Sequence, residues 1–186
     1  TGSWTAFAQD AKFVSINAAR FDAHKHFSLP MVADAKVAIN SLHEALDGFH
    51  TTPDWTKKAK KERQIWDDYV AFNVSLDNGP NSYAQVIGVV NELCDPRDRI
   101  VTAAGGLPAE VNANWRTLEI GTVDVEFGFS CMGYEIAGGW GARIAQSERE
   151  PDSDTIVLVG DGSYLLLNSD IYSSVLSRKK LIIVVL

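Results

Sequence analysis

Two periods of hydrophobic and polar positions run through this chain, and the switches between them mark its elements. Thr155-Ile-Val-Leu-Val159 is an apolar, β-branched run bounded by Ser153 and Asp154 on one side and Gly160 on the other. Such a run needs cover on both faces, which predicts a central strand of a parallel sheet. Leu165 to Leu176 reads as a helix carrying Asn168, Ser169, Asp170 and Ser173, closed by the basic Arg178-Lys179-Lys180. Those charges suit a helix C-terminus. Leu181-Ile-Ile-Val-Val-Leu186 predicts a second buried strand. Together they predict a right-handed βαβ unit with a ligand site at the carboxyl end of its first strand. The sequence stops inside the second strand, so the chain reads as a fragment of a longer protein.

Upstream, Phe13-Val-Ser-Ile-Asn17 alternates like a half-buried strand. Phe21 to Pro30 is polar and predicts a loop holding His24 and His26. Asp34 to Leu46 predicts an amphipathic helix with Val37, Leu42, Ala45 and Leu46 on one face and Gly48 as its stop. Trp55 to Phe72 predicts a charged helix whose Trp55, Ile65, Trp66 and Tyr69 pack on neighbours. Asp77-Asn78-Gly79-Pro80 is the strongest turn signal and places a domain boundary within residues 50–80. Tyr83 to Leu93 predicts a helix with Val86, Val89, Val90 and Leu93 facing inward. Arg99 to Thr102 predicts a short strand running into Ala103-Ala104-Gly105-Gly106. From Phe127 to Ala142 the pattern predicts a glycine-rich turn and then a helix. Gly138, Gly139 and Gly141 would let that helix approach the sheet closely. No β-branched strand enters this stretch, which excludes a dinucleotide fingerprint for Gly139-Trp140-Gly141.

Composition narrows the class. With 46% hydrophobic residues the chain is globular, and a formal net charge of -7 argues against a nucleic-acid surface as its main function. The basic run Lys57-Lys58-Ala-Lys60-Lys61-Glu-Arg63 is therefore read as a solvated helix face. Cys94 and Cys131 fit no zinc spacing, and His24 with His26 has no third ligand nearby in sequence. No apolar run is long enough to span a bilayer, which predicts a soluble, cytoplasmic protein without a membrane or nucleic-acid partner.

The stretch with chemistry is Gly160-Asp161-Gly162-Ser163. The two glycines allow a tight path on which N–H groups around Asp161 and Ser163 can face one anion. Asp161 adds a carboxylate oxygen, a hard ligand for Mg²⁺ or Ca²⁺. A metal-bound diphosphate needs both; the alternative is an ordinary strand-ending turn. Gly105 and Gly106, after another strand, form a second place where backbone can approach a phosphate.

Gly160-Asp-Gly-Ser163 and the βαβ unit around it resemble the signature of thiamine-diphosphate-dependent enzymes. The resemblance implies an α/β fold, a parallel sheet with helices on both faces, incomplete here at the C-terminus. It implies residues 1–50 as the tail of a middle domain, 51–80 as a linker with a charged helix, and 81–186 as the first part of the diphosphate-binding domain. Thiamine diphosphate and Mg²⁺ are the implied cofactors, with Asp161 as metal ligand. Gly105, Gly106, Ser130, Met132, Asp161, Gly162 and Ser163 are the implied cofactor contacts. Met132 would wedge under the bent cofactor, and the backbone at Ser130 would accept a hydrogen bond from its exocyclic amine. Gly105-Gly106-Leu107-Pro108 departs from the polar side chains often found at its position, leaving a backbone role. The glutamate that drives cofactor tautomerisation belongs to another domain in this superfamily, usually a partner subunit's, so no catalytic acid or base is assigned here. Glu110, Glu126 and Glu135 are read as helix or loop surface.

Within the superfamily, Phe129-Ser-Cys-Met-Gly-Tyr-Glu-Ile-Ala-Gly-Gly139, Leu107-Pro-Ala-Glu-Val-Asn-Ala-Asn-Trp115 and Gly160-Asp-Gly-Ser-Tyr-Leu-Leu-Leu-Asn168 resemble the trihydroxycyclohexane-1,2-dione hydrolases of inositol catabolism. That implies hydrolytic opening of a cyclic diketone to 5-deoxyglucuronate by a homodimer or homotetramer. The rivals are an acetolactate-synthase-like carboligase or decarboxylase, and a non-catalytic interaction module.

Overall fold

The computed structural model describes residues 5–76 and 79–186; Asp77 and Asn78 of the predicted turn lie outside them. The chain divides into two compact units between Lys58 and Ala59. In the first, strands β1 (Val14–Asn17) and β2 (Leu29–Val32) pair in parallel, joined by helix α1 (Arg20–Ala23) and a 3₁₀ turn over Lys25–Phe27. The predicted loop over 21–30 is thus a short crossover and the start of a strand. Helix α2 (Ala35–Ala45) follows, capped by Asp34, whose side chain accepts the Val37 N–H at 3.1 Å. Its buried residue is Ala38, while Val37 and Leu46 of the predicted face are exposed. The two small residues Ala38 and Ala23 fill this unit's shallow core.

Helix α3 (Pro53–Ser75) carries the division between the units. Pro at its first position suits a helix start, and Arg63–Asp67 and Gln64–Asp68 pair one turn apart. The basic run lies exposed on it, as a solvated face should. Trp55, Ile65, Trp66 and Tyr69 are exposed rather than packed inward; Val70 is the buried position.

The second unit is built on a four-stranded parallel sheet in the order β4 (Val123–Val125), β3 (Arg99–Thr102), β5 (Thr155–Val159), β6 (Ile182–Val185). The two central strands are the ones predicted, and all five β5 residues are buried. Alternation along β5 divides the core in two. Ile156 and Leu158 pack with Ile87 of helix α4 (Tyr83–Leu93), Ile100 of β3, and Leu107 and Val111 of helix α5 (Leu107–Asn114). Val157 and Val159 pack on the other face with Ile136 of helix α6 (Tyr134–Arg149). The sheet therefore has helices on both faces, as the sequence predicts. Helix α4 begins with a capping box, Ser82 and Gln85 each holding the other's backbone N–H. It turns Ala84 and Ile87 inward; of the predicted face Val90 packs against this core, while Val89 and Leu93 are exposed.

The single helix predicted over 165–176 is two. Helix α7 (Asp161–Leu166) ends where Leu167 adopts extended backbone, and helix α8 (Asp170–Leu176) restarts after Asn168 and Ser169. Those polar residues favour helix ends over helix interiors. Among the described residues no helix is long and apolar enough to cross a membrane.

Candidate cofactor site at the carboxyl ends of β3 and β5

Strands β3 and β5 are adjacent and parallel, with Val101 opposite Val157, so the turns that follow them leave the same edge of the sheet. The first turn is Ala103 to Gly106. Gly105 has a φ of +79°, a conformation that suits glycine, and Gly106 opens α5 with Pro108 in its first turn. A side chain added at Gly105, Gly106 or Gly160 would meet nothing within 4 Å, so the backbone at these three positions is uncovered.

The second turn is Gly160 to Ser163. Asp161 is exposed at the first position of α7. Its backbone N–H donates to the Leu186 carbonyl at 3.0 Å, and its Oδ1 accepts the Gly162 N–H at 2.7 Å. Two of the N–H groups expected to face an anion are thus already used inside the protein. Among the described residues, no hydrogen-bond donor meets Oδ2. Ser163 is buried, and its hydroxyl is committed: it donates to Glu135 Oε2 and accepts the Gly133 N–H, both at 2.6 Å. Only its main chain is left for a ligand.

The third segment, 126–133, joins them. The Glu126 carboxylate accepts the N–H groups of Phe129 and Cys131, each at 2.8 Å, and these bonds hold its pKa below the usual carboxylate value. They brace the loop in which Ser130 adopts a φ of +52°, an uncommon conformation outside glycine. Met132 is half exposed, its Cε 3.6 Å from where a Gly162 Cβ would stand. At Gly133 (φ +93°) an added Cβ would come within 2.5 Å of the Leu167 Cβ, so only glycine fits.

Glu135 ties the three segments together. It is fully buried at the second position of α6, against the expectation of a surface role. Its Oε1 accepts the Ala104 N–H at 3.0 Å, and its Oε2 accepts the Gly133 N–H at 3.0 Å and the Ser163 hydroxyl at 2.6 Å. Three donors on two oxygens is a set that a carboxylate satisfies fully and an amide only in part. The sequence did carry a signal: Glu135 precedes Gly139 by four residues, on the helix face predicted to press on the sheet.

All seven predicted contact residues therefore lie on these three segments. Outside them, Glu110 bonds within its own helix to Asn114 at 3.1 Å. His24 Nδ1 pairs with the Arg20 carbonyl at 2.8 Å. Among the described residues no group of three or more His, Cys, Asp or Glu could hold a metal ion, so Asp161 offers one ligand and not a complete site. A groove of about 660 Å³ lies elsewhere, between Arg99, Asp124, Gly141 and Gln146, and takes in none of the seven. Gly138 and Gly141 line that groove; Gly139 alone of the three glycines touches β5.

Residues 103–186 match the family described as thiamine pyrophosphate enzyme, C-terminal TPP binding domain. The chain is 32% identical to a 3D-(3,5/4)-trihydroxycyclohexane-1,2-dione hydrolase of Bacillus velezensis, with 97% of this chain and 32% of that protein covered. Identity to the proteins of the same name is 33% in Bacillus licheniformis and 32% in Bacillus subtilis, with the same 97% and 32% coverage. The chain thus spans about a third of the length of the curated relatives it matches. A crystal structure from Mycobacterium smegmatis, described as a thiamin diphosphate-dependent enzyme, superposes with a TM-score of 0.50 at 17% identity, over 56% of this chain and 20% of that one. That likeness shows the fold. Over residues 103–186 the chain is thus similar to the C-terminal TPP-binding domain of thiamine pyrophosphate enzymes.

Proposed function

We propose that this chain is part of an enzyme that uses thiamine diphosphate and Mg²⁺ to open the ring of trihydroxycyclohexane-1,2-dione by hydrolysis, giving 5-deoxyglucuronate in inositol catabolism. The observation that carries the cofactor reading is the convergence of three turns at the carboxyl ends of β3 and β5, where α/β sheets bind ligands. The residues fit a metal–diphosphate group: uncovered backbone at Gly105, Gly106 and Gly160 stands with the exposed Asp161 carboxylate on one edge of the sheet. The names of the relatives support the substrate.

In this reading Asp161 would be the chain's metal ligand, the main chain at Gly105, Gly106 and Ser163 would hold the diphosphate, and Gly162, whose N–H is taken by Asp161 Oδ1, would border it without a side chain. The Ser130 main chain would accept a hydrogen bond from the cofactor's amine, and Met132 would pack against the cofactor. Bound thiamine diphosphate supplies the electron sink for a cleaved carbon–carbon bond. Residues 1–50 are the tail of a middle domain, and 81–186 begin the diphosphate-binding domain. The catalytic glutamate lies elsewhere in a homodimer or homotetramer.

The test is thiamine diphosphate binding to the full-length protein, with and without Mg²⁺, for wild type and Asp161→Ala. Metal-dependent binding that the substitution largely abolishes is the expected result. Equal binding by the variant would make the 160–163 turn structural. Product analysis with the cyclic diketone against pyruvate then separates the hydrolase from a carboligase.

A further inference from the structure

Three exposed residues of the proposed site each have a neighbour in sequence that is bonded to one buried side chain. Ala104 precedes Gly105, Gly133 follows Met132, and Ser163 follows Gly162; all three donate to Glu135. We propose that Glu135 is the positioning residue of this site. Its carboxylate fixes the 103–106 turn, the Met132 segment and the 160–163 turn at one mutual spacing, so that the two faces of a bound cofactor are set together.

The arrangement is more than a satisfied buried acid. Each donor comes from a different segment, and each segment has its other end elsewhere: on β3, on the Glu126-braced loop, and on β5. No other described side chain bonds to more than one of the three, apart from Ser163, which belongs to one of them. Helix α6 holds the carboxylate still, because Ile136 is buried beside it and Gly139, one turn on, lies directly on Val157 of β5. The sheet therefore sets where Glu135 stands, and Glu135 sets where the turns stand. It touches none of the reacting atoms, so its influence passes through the backbone at Gly105, Met132 and Gly162.

This proposal rests on the thiamine diphosphate reading above, and its experiment separates the two. In Glu135→Gln the shape is kept, but one acceptor becomes a donor, so at least one of the three N–H or O–H groups loses its partner. The full-length variant is expected to unfold in a single apo transition at a somewhat lower midpoint, as Thr155→Val does, and to bind thiamine diphosphate with Mg²⁺ about tenfold more weakly, by calorimetric titration. Ser163→Ala, which removes one donor and leaves the carboxylate, is expected to weaken binding in the same direction and carries the test if Glu135→Gln does not fold. Thr155→Val is the control: it removes a buried hydrogen bond to Gln146 at the far end of α6, 2.7 Å long, without touching a turn. It is expected to lower stability and leave the affinity unchanged. Wild-type affinity in both Glu135→Gln and Ser163→Ala, or an equal loss in Thr155→Val, overturns the positioning role. Failure of wild type to bind overturns the site reading itself.

Discussion

Gly139 of α6 lies directly against Val157 of β5: a Cβ added to the glycine would stand closer than 3.0 Å to Val157 Cγ2. Val157 is fully buried and β-branched, so its methyl cannot swing away. The helix approaches the sheet at this point because a hydrogen occupies the place of a side chain. Gly139→Ala is expected to destabilise the fold by ~1–3 kcal/mol in urea unfolding. Gly141, two residues on, faces open space. Gly141→Ala is expected to stabilise the helix by up to ~1 kcal/mol. Equal effects at the two positions would refute the contact.

Ser82 makes the same kind of local prediction for α4. Its hydroxyl accepts the Gln85 N–H at 3.3 Å, and Gln85 Oε1 accepts the Ser82 N–H at 2.7 Å. The reciprocal pair satisfies two donors that the helix leaves open. Ser82→Ala is expected to cost ~1 kcal/mol of stability, while Ser82→Asp, which can still cap, is expected to cost less. Thermal unfolding of the two variants checks the order.

What the sequence made legible follows from how long and how one-sided each signal is. Thr155–Val159 was readable to the residue because, after Thr155, a strand buried on both faces has no polar position to blur it. The edge strand Val123–Val125 has three residues, one of them Asp124, and offers no period to detect. Helix α5 was missed because Gly105-Gly106-Leu107-Pro108 reads as a turn, although proline in a first turn is also a helix start. In α4 apolar residues surround the helix, so their spacing could not choose which of them, Ile87 or Val89, the sheet would bury. The site's acidic turn and its glycines were legible as local chemistry. Glu135 was not, because its three donors lie 2, 28 and 31 residues away and only the fold brings them together.

Glu126 gives a pH dependence with a definite sign. The N–H groups of Phe129 and then Cys131 hold its pKa below the ordinary carboxylate value. A depressed folded-state pKa adds stability above the unfolded pKa, ~4.3, that is lost as pH falls through the folded value. The loop bearing Ser130 and Met132 is therefore expected to stay ordered below the pH at which an ordinary carboxylate takes up its proton and to loosen only in stronger acid. The stability difference between wild type and Glu126→Gln should be constant above ~pH 5 and shrink in acid. A difference that stays constant through pH 3 would show that the carboxylate contributes nothing to holding the loop.

Cys94 shifts the other way. Burial, followed by the Asp98 and Asp154 carboxylates, pushes its thiol up to about 11. The thiolate is the reactive form, so at pH 8 Cys94 is expected to resist alkylation in the native protein and to react once the chain is unfolded. Linkage adds a second consequence. The unfolded thiol ionises near ~8.5 while the folded one keeps its proton to about 11, so between these values the unfolded chain holds fewer protons. Stability must then fall as pH rises across that window and level off above it. Cys94→Ala removes the titrating group and should flatten this part of the stability profile. The same slope in wild type and variant would mean that other groups produce the alkaline loss and that the Cys94 thiol is not held back by its burial and its two acidic neighbours.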